Sequence, residues 1–396
     1  MPPPARRALQ KAPLTPAVEL PCFAIVAPGL EPFALAEAKA LGLAAVAEEG
    51  GLSWQGDARS ALLANAALRI ASRVVVRLAT FEARSFAELQ RHARRIEWNR
   101  VVAPGDAVRF RVTCKKSKLY HSDAVAERLA DAVMRVVPGA RAEGGSELDE
   151  DAGDSGDASL VIVRIMRDRC TVSADSSGAL LHRRGYRQAT AKAPLRETIA
   201  AAMLAASGWD GTSPLVDPLC GSGTIPIEAA QSARGIAPGT QRTFAMERWP
   251  TTPAGLGDQV RAELIARERV SAAGQILGSD RDAGAIAAAT SNAERAGVAT
   301  DVGLAVRSLS SAVFPDGPRG WIVTNPPYGV RVGDSDGVRD LWAQLGTVLR
   351  TRASGWRVAL LSPEPALDRQ LRIPLSSVAS LSNGGIPIRL MVGDVP

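Results

Sequence analysis

The chain has 396 residues, 46% of them hydrophobic and 22% charged, a balance that builds soluble globular cores over a length suited to two or three domains. No apolar run approaches the roughly eighteen residues of a membrane span, and Cys22, Cys114, Cys170 and Cys220 lack metal-ligand or disulfide-framework spacing, so a cytoplasmic protein without membrane or metal partners is expected, and a monomer. The net charge of +6 is unevenly placed: 17 Lys/Arg against 7 Asp/Glu lie between Arg59 and Arg141, and seven acids without a base follow from Glu143 to Asp157.

Residues 1–19 carry basic and proline residues without an apolar core and read as a flexible tail rather than a signal peptide. Over 20–85, PCFAIVAPG reads as a strand, EPFALAEAKALG as a helix closed by Gly42, GGLSWQG as a short strand, DARSALLANAALRIAS as a second helix and RVVVRLATF as a further strand. That order gives a small α+β module. Over 86–180, SFAELQRHARRIEW is helical and AVRFRVTC alternates like a half-buried strand. SDAVAERLADAVMRVV is a helix with Ser122 or Asp123 placed as its cap, and SLVIVRIMRDRCTVSAD returns as two strands. The acidic segment within 143–158 has little to bury and reads as a mobile loop. The basic stretch before it either offers phosphates a counterion surface or is the solvated side of surface helices.

From Pro194 onward, strands SPLVDP, QILGSD, DVGLAV, GWIVTN and WRVALLS alternate with helices near 196–206, 225–234, 282–296 and 338–351. This predicts a parallel, doubly wound α/β sheet. The chain closes on a hairpin around Asn383-Gly384-Gly385.

Two motifs carry chemistry. In LVDPLCGSGTIPIEAA (215–230) a strand ends at Asp217, and Gly221 and Gly223 let the backbone approach a ligand ahead of a helix. Pro226 replaces the third glycine of a dinucleotide fingerprint and no phosphate-binding lysine follows, so a ligand with an adenosine and a carboxylate but no pyrophosphate fits better. Asp280, at the tip of the next strand, either accepts ribose hydroxyls or caps the helix beginning near Ala283. In GWIVTNPPYGVR (320–331) two prolines stiffen the turn. The Asn325 side-chain oxygen and the Pro326 carbonyl can accept the two N–H bonds of an exocyclic base amine, and Tyr328 can stack on a base turned out of its helix.

The pair resembles the class I amino methyltransferases, whose signatures are D-x-x-x-G-x-G and (N/D)-P-P-(Y/F/W). A narrower resemblance spans nearly the whole chain. RFRVTCKKSKLYHSDAV (109–125) is similar to the RNA-binding THUMP domain, LLHRRGYRQATAKAPLRETIAAAML (180–204) to the join between THUMP and catalytic domains in guanine-N2 RNA methyltransferases, and SLSNGGIPIRLMVG to that family's terminal hairpin. The resemblance implies a ferredoxin-like module over 20–85, a THUMP domain over 86–180 and a Rossmann-like methyltransferase domain over 181–396. It implies S-adenosylmethionine as cofactor, held by Asp217, Pro218, Cys220, Gly221, Ser222, Gly223, Thr224, Asp280, Arg281, Ser308 and Asn325. The catalytic turn is then Asn325, Pro326, Pro327 and Tyr328. RNA phosphates would meet Lys115, Lys116, Lys118 and Tyr120, with Arg183, Arg184 and Arg187 at the join, unless Arg183 and Arg184 pair with nearby acids. The resemblance implies ribosomal RNA as the substrate, with tRNA as the alternative; methylation of adenine N6 or protein glutamine and a non-catalytic assembly role are the others. One departure stands out: LAVRSLSSAVF offers Arg307 and Ser308 where family members carry an acid for the adenine amine.

Overall fold

In the computed structural model, residues 19–144, 158–188, 195–328, 335–383 and 385–396 are described. The expected tail up to residue 18, the acidic loop from 145 to 157, Gly329 after the proline turn and Gly384 of the hairpin turn lie outside them.

Alternation of apolar residues in the longer strands of the first half, as in LPCFAI and AVRFRVTCK, sends one face of each into the core. The elements are β1 (Leu20–Ile25), α1 (Glu31–Ala40), β2 (Val46–Glu48), β3 (Gly51–Gly56), α2 (Ala58–Ala67) and β4 (Arg73–Glu82). They continue with α3 (Phe86–Ala93), β5 (Ala107–Lys115), α4 (Ser122–Val136), β6 (Arg141–Ala142), β7 (Ser159–Met166) and β8 (Arg169–Asp175). The two predicted modules do not close separately. All eight strands form one sheet in the order β2-β3-β1-β4-β8-β7-β5-β6, because β8 returns antiparallel against β4.

Two helices are shorter than their sequence pattern. α2 ends at Ala67 because Leu68 takes an extended conformation. α3 ends at Ala93, whose carbonyl accepts from the buried Trp98 indole at 2.9 Å, and a 3₁₀ turn follows. α4 has His121 at its cap position and no side-chain cap bond, so neither Ser122 nor Asp123 plays that role.

The second half contains α5 (Glu197–Ser207), β9 (Leu215–Asp217), α6 (Thr224–Arg234), α7 (Leu256–Ile265), β10 (Ile276–Asp280), α8 (Ala283–Arg295) and β11 (Val302–Val306). It ends with β12 (Trp321–Thr324), α9 (Ser335–Arg352), β13 (Arg357–Ser362), α10 (Pro365–Leu371), β14 (Ser376–Asn383) and β15 (Ile386–Asp394). The sheet order is β11-β10-β9-β12-β13-β15-β14. The first five strands run parallel and the terminal hairpin adds antiparallel through β15. β9 is central, and the chain leaves it first toward β10 and later toward β12. The crevice at the carboxyl ends of β9, β10 and β12 is therefore the switch point where such sheets hold ligands.

Candidate functional site

That crevice is a cavity of about 590 Å³. Cys220, Gly221, Ser222 and Thr224 line one wall, Asp280, Arg281 and Ser308 a second, and Asn325 and Pro327 a third, with Asp217 beneath. Pro218, Gly223, Pro326 and Tyr328 do not line it; they belong to the two turns that shape it. Of the residues that sequence reasoning passed over, Leu195 and, on α9, Val338 and Leu341 are among those that also line it.

The glycine loop is held by the sheet on one side and by α8 on the other. Gly221 and Gly223 have φ of 53° and 83°, values that favour glycine. A Cβ on Gly223 would stand 2.9 Å from Ala289 Cβ, whereas one on Gly221 would meet no protein atom within 4 Å. The Cys220 amide donates to the Ser279 carbonyl at 2.9 Å, and the Gly221 amide to an Asp280 carboxylate oxygen at 3.0 Å. From α8, the fully buried Asn292 donates from Nδ2 to the Ser222 carbonyl at 3.1 Å. Its sequence signal was faint: a polar residue on the buried face of an alanine-rich helix.

Asp280 does not cap α8. Asp282 does, accepting from the Gly284 and Ala285 amides at 2.8 and 3.3 Å. The other Asp280 oxygen accepts from the Asp282 amide at 2.9 Å. A carboxylate has further lone pairs on each oxygen, and this one lines the cavity. Asp217 is buried, accepting from the Thr324 hydroxyl at 2.7 Å and the Leu219 amide at 3.1 Å. Burial pushes its carboxyl up to about 7, against the lowering effect of those two bonds. Burial likewise pushes the Cys220 thiol up, which suits a wall residue rather than a nucleophile.

The proline turn places Asn325 directly after β12. Its Oδ1 is buried and has no hydrogen-bond partner among the described residues. A buried acceptor left unpaired in this way is costly, and such atoms mark places where a donor arrives. The Pro327 carbonyl is taken by the Trp342 indole at 3.0 Å, which anchors the turn to α9. The Tyr328 hydroxyl accepts from Asn383 Nδ2 at 2.9 Å, tying the turn to the terminal hairpin. Ser308 stands where the acid was missed; its hydroxyl lies 3.0 Å from those of Ser310 and Ser311.

Lys115, Lys116, Lys118 and Tyr120 are all exposed where β5 ends, Tyr120 at 69%. The arginines at the join divide. Arg184 is buried: its Nε lies 3.4 Å from Glu228 and its Nη atoms donate to the Leu181 and Arg69 carbonyls. Arg187 donates to Glu197 at 2.9 Å and to the Leu195 carbonyl at 2.8 Å. Both guanidinium groups are thus held by internal acceptors, and the expectation that they meet RNA is corrected; Arg183 remains exposed. The basic stretch is reduced in the same way. Arg73 is buried against Asp175, and Arg69 lies 3.7 Å from Glu228 with its guanidinium pKa lowered by burial.

Among the described residues no group of three or more His, Cys, Asp or Glu is placed to hold a metal, and no helix is long and apolar enough to cross a membrane. A family profile described as an RMKL-like methyltransferase domain matches residues 184–390, and one described as an RlmL ferredoxin-like domain matches 21–75. A provisionally named RNA methyltransferase of Synechocystis sp. is 33% identical over 94% of this chain and 96% of its own length. A ribosomal RNA large subunit methyltransferase K/L of Syntrophotalea carbinolica is 35% identical over 94% of this chain, which spans 53% of that longer protein. A provisionally named methyltransferase solved in complex with SAH superposes with a TM-score of 0.83 at 27% identity, over 96% of this chain and 98% of that one.

Proposed function

The chain belongs to the RMKL-like methyltransferase family, and we propose that it methylates the exocyclic N2 of a guanine in large-subunit ribosomal RNA, using S-adenosylmethionine. The observation that carries this reading is the buried Asn325 Oδ1, without a partner among the described residues, in the wall of the cavity that the glycine loop and Asp280 also line.

The residues present fit that cofactor. Gly221 leaves room for close approach, Asp280 offers acceptor lone pairs suited to ribose hydroxyls, and Ser308 can bond the adenine amine where an acid is missing. S-adenosylmethionine supplies an electrophilic methyl group. Asn325 accepts an N–H of the guanine amine, turning the nitrogen lone pair out of the ring and toward that methyl, and its oxygen dipole stabilises the positive charge that grows on nitrogen. Anchoring of the turn by Trp342 and Asn383 keeps this acceptor in place before the base arrives. Residues 86–180 act as the THUMP module, presenting Lys115, Lys116, Lys118 and Tyr120 to the RNA backbone, and Arg183 adds an exposed charge at the join.

The test is transfer of labelled methyl from S-adenosylmethionine to RNA from a strain lacking this gene, followed by nucleoside analysis. Label in N2-methylguanosine of large-subunit ribosomal RNA is expected. Asn325→Ala should lower turnover by about 10²–10³-fold, as loss of one such polar contact does, while cofactor affinity by calorimetry stays within about threefold. Label confined to another RNA or base would overturn the substrate, and undiminished turnover in Asn325→Ala would overturn the role of the turn.

A further inference from the structure

A second concavity, of about 880 Å³, opens where the join meets the segment 240–243, α7 and α8. Five arginines line it, Arg183, Arg184, Arg242, Arg261 and Arg295, against the single carboxylate of Asp258. Two of the five are matched internally. Arg184 faces Glu228, and Arg261 donates to both Glu247 oxygens at 2.8 and 2.9 Å and to Asp258 at 2.5 Å. Arg242 and Arg295 are held differently. Arg242 donates to the carbonyls of Ala179, Leu180 and Arg183, and Arg295 to the Tyr186 carbonyl and the Asn292 side-chain oxygen. Neutral dipoles therefore orient these two guanidinium groups, and neither forms a carboxylate bond within the described residues.

We infer that this bay binds the phosphodiester backbone of the RNA, a docking site separate from the catalytic cavity; the inference rests on the RNA reading above. The charges come from four stretches of chain that converge on one concavity, whereas a solvated helix face would interleave acids along a single helix. Guanidinium groups pre-oriented by carbonyls keep N–H donors in the fork geometry that matches phosphate. Burial and the neighbouring Arg184, Arg73 and Arg183 pull Arg242 down to about 10, with Asp175 opposing, so it is still a cation at neutral pH and mutual repulsion there favours an incoming anion. Exposed Gln241, Thr243 and Gln188 add neutral polar groups around the arginines. The bay also communicates with the site: Arg295 bonds Asn292, which bonds Ser222 in the glycine loop.

Gln241→Glu with Thr243→Glu places two carboxylates in the bay without removing any arginine bond. Ser376→Glu with Val378→Glu, exposed on β14, changes the charge equally elsewhere. Binding of a fluorescein-labelled RNA hairpin is followed by anisotropy across a KCl series. The bay variant should bind at least about tenfold more weakly with a shallower salt dependence, with melting temperature and S-adenosylmethionine affinity unchanged, and the β14 variant should bind as the parent does. Parental affinity in the bay variant overturns the inference. So does displacement of the RNA by poly-glutamate as readily as by unlabelled RNA, which would make the bay a general anion site. Absence of RNA binding by the parent overturns both the bay and the RNA reading, whereas RNA binding that depends on the bay without methyl transfer overturns only the catalytic reading.

Discussion

Asn325 and Asp217 lie at neighbouring strand ends and show how two polar side chains in one crevice acquire different tasks. Among the described residues nothing donates to the Asn325 Oδ1, so its environment favours a donor from outside. Asp217 has its partners, Thr324 and Leu219, but burial outweighs them and raises its carboxyl to about 7. An unfolded aspartate titrates near ~3.9, so the folded state binds this proton more tightly. The resulting stability is complete below about pH 4 and lost as pH rises through about 7. Asp217→Asn removes that dependence. Its melting temperature relative to the parent should climb by a few degrees between pH 5 and 8, measured as a difference so that other groups cancel; a flat difference would show that Asp217 titrates normally. At this scale the sequence was readable where a residue type carries its own chemistry, as in Gly221, Asp280 and Asn325. It gave only a faint signal for Asn292, because an asparagine among alanines looks much like an exposed helix residue until the fold buries it.

Among the elements, α8 does more than cover the sheet. Asp282 starts it, Asn292 reaches from it to the glycine loop, and Arg295 ends it against the join. Asn292→Ala should lose about 2 kcal/mol of stability, since it deletes one buried bond to Ser222 and leaves Arg295 with one partner fewer. A positioning role predicts more: cofactor affinity should fall about three- to tenfold while turnover at saturating cofactor is retained. Loss of stability with unchanged cofactor affinity would make Asn292 merely structural. Apart from the short, exposed β2 and β6, which were not anticipated, strands were legible, because an alternating or apolar run bounded by turn residues has few competing explanations. Helix ends were less so. The apolar pattern runs on through Leu68 and Trp98, but Leu68 is buried from an extended backbone and Trp98 from a 3₁₀ turn. α7 and α10 were not anticipated, being short amphipathic segments in stretches rich in turn residues.

Across the whole molecule, the halves meet over a buried charged joint rather than a purely apolar one. Arg69 from the first half and Arg184 from the join converge on Glu228 of α6, whose carboxylate also accepts from the Tyr186 hydroxyl at 3.2 Å. Nearby, burial pushes Glu197 up to about 7 even with Arg187 beside it. Removing one side of such a cluster leaves buried charge uncompensated, at a cost of about 3–5 kcal/mol. Glu228→Leu should therefore lower the melting temperature markedly, and adding Arg184→Met should restore part of the loss. Additive destabilisation in the double variant would show that the two do not act together. Three further bonds reinforce the seam: the Gly239 amide to the Ala66 carbonyl at 2.9 Å, the Met246 amide to the Ser176 carbonyl at 3.1 Å and the Thr251 hydroxyl to the Arg100 carbonyl at 2.8 Å. These tie the segment after α6 to both predicted modules.

What the sequence determined by itself was local: the strand–loop–helix that presents Gly221, the acid at the tip of the next strand and the stiff turn that carries Asn325. Each depends on backbone geometry set within a few residues. The tertiary structure decided what depends on distant partners. Only the pairing of β8 with β4 showed that the two N-terminal modules share one sheet. Only packing showed that Arg184 and Arg187 meet internal carboxylates while Arg242 and Arg295, unremarkable in sequence, line a bay without such a partner among the described residues. A charge reads the same in sequence whether it meets solvent or a carboxylate far along the chain, and burial alone separates the two.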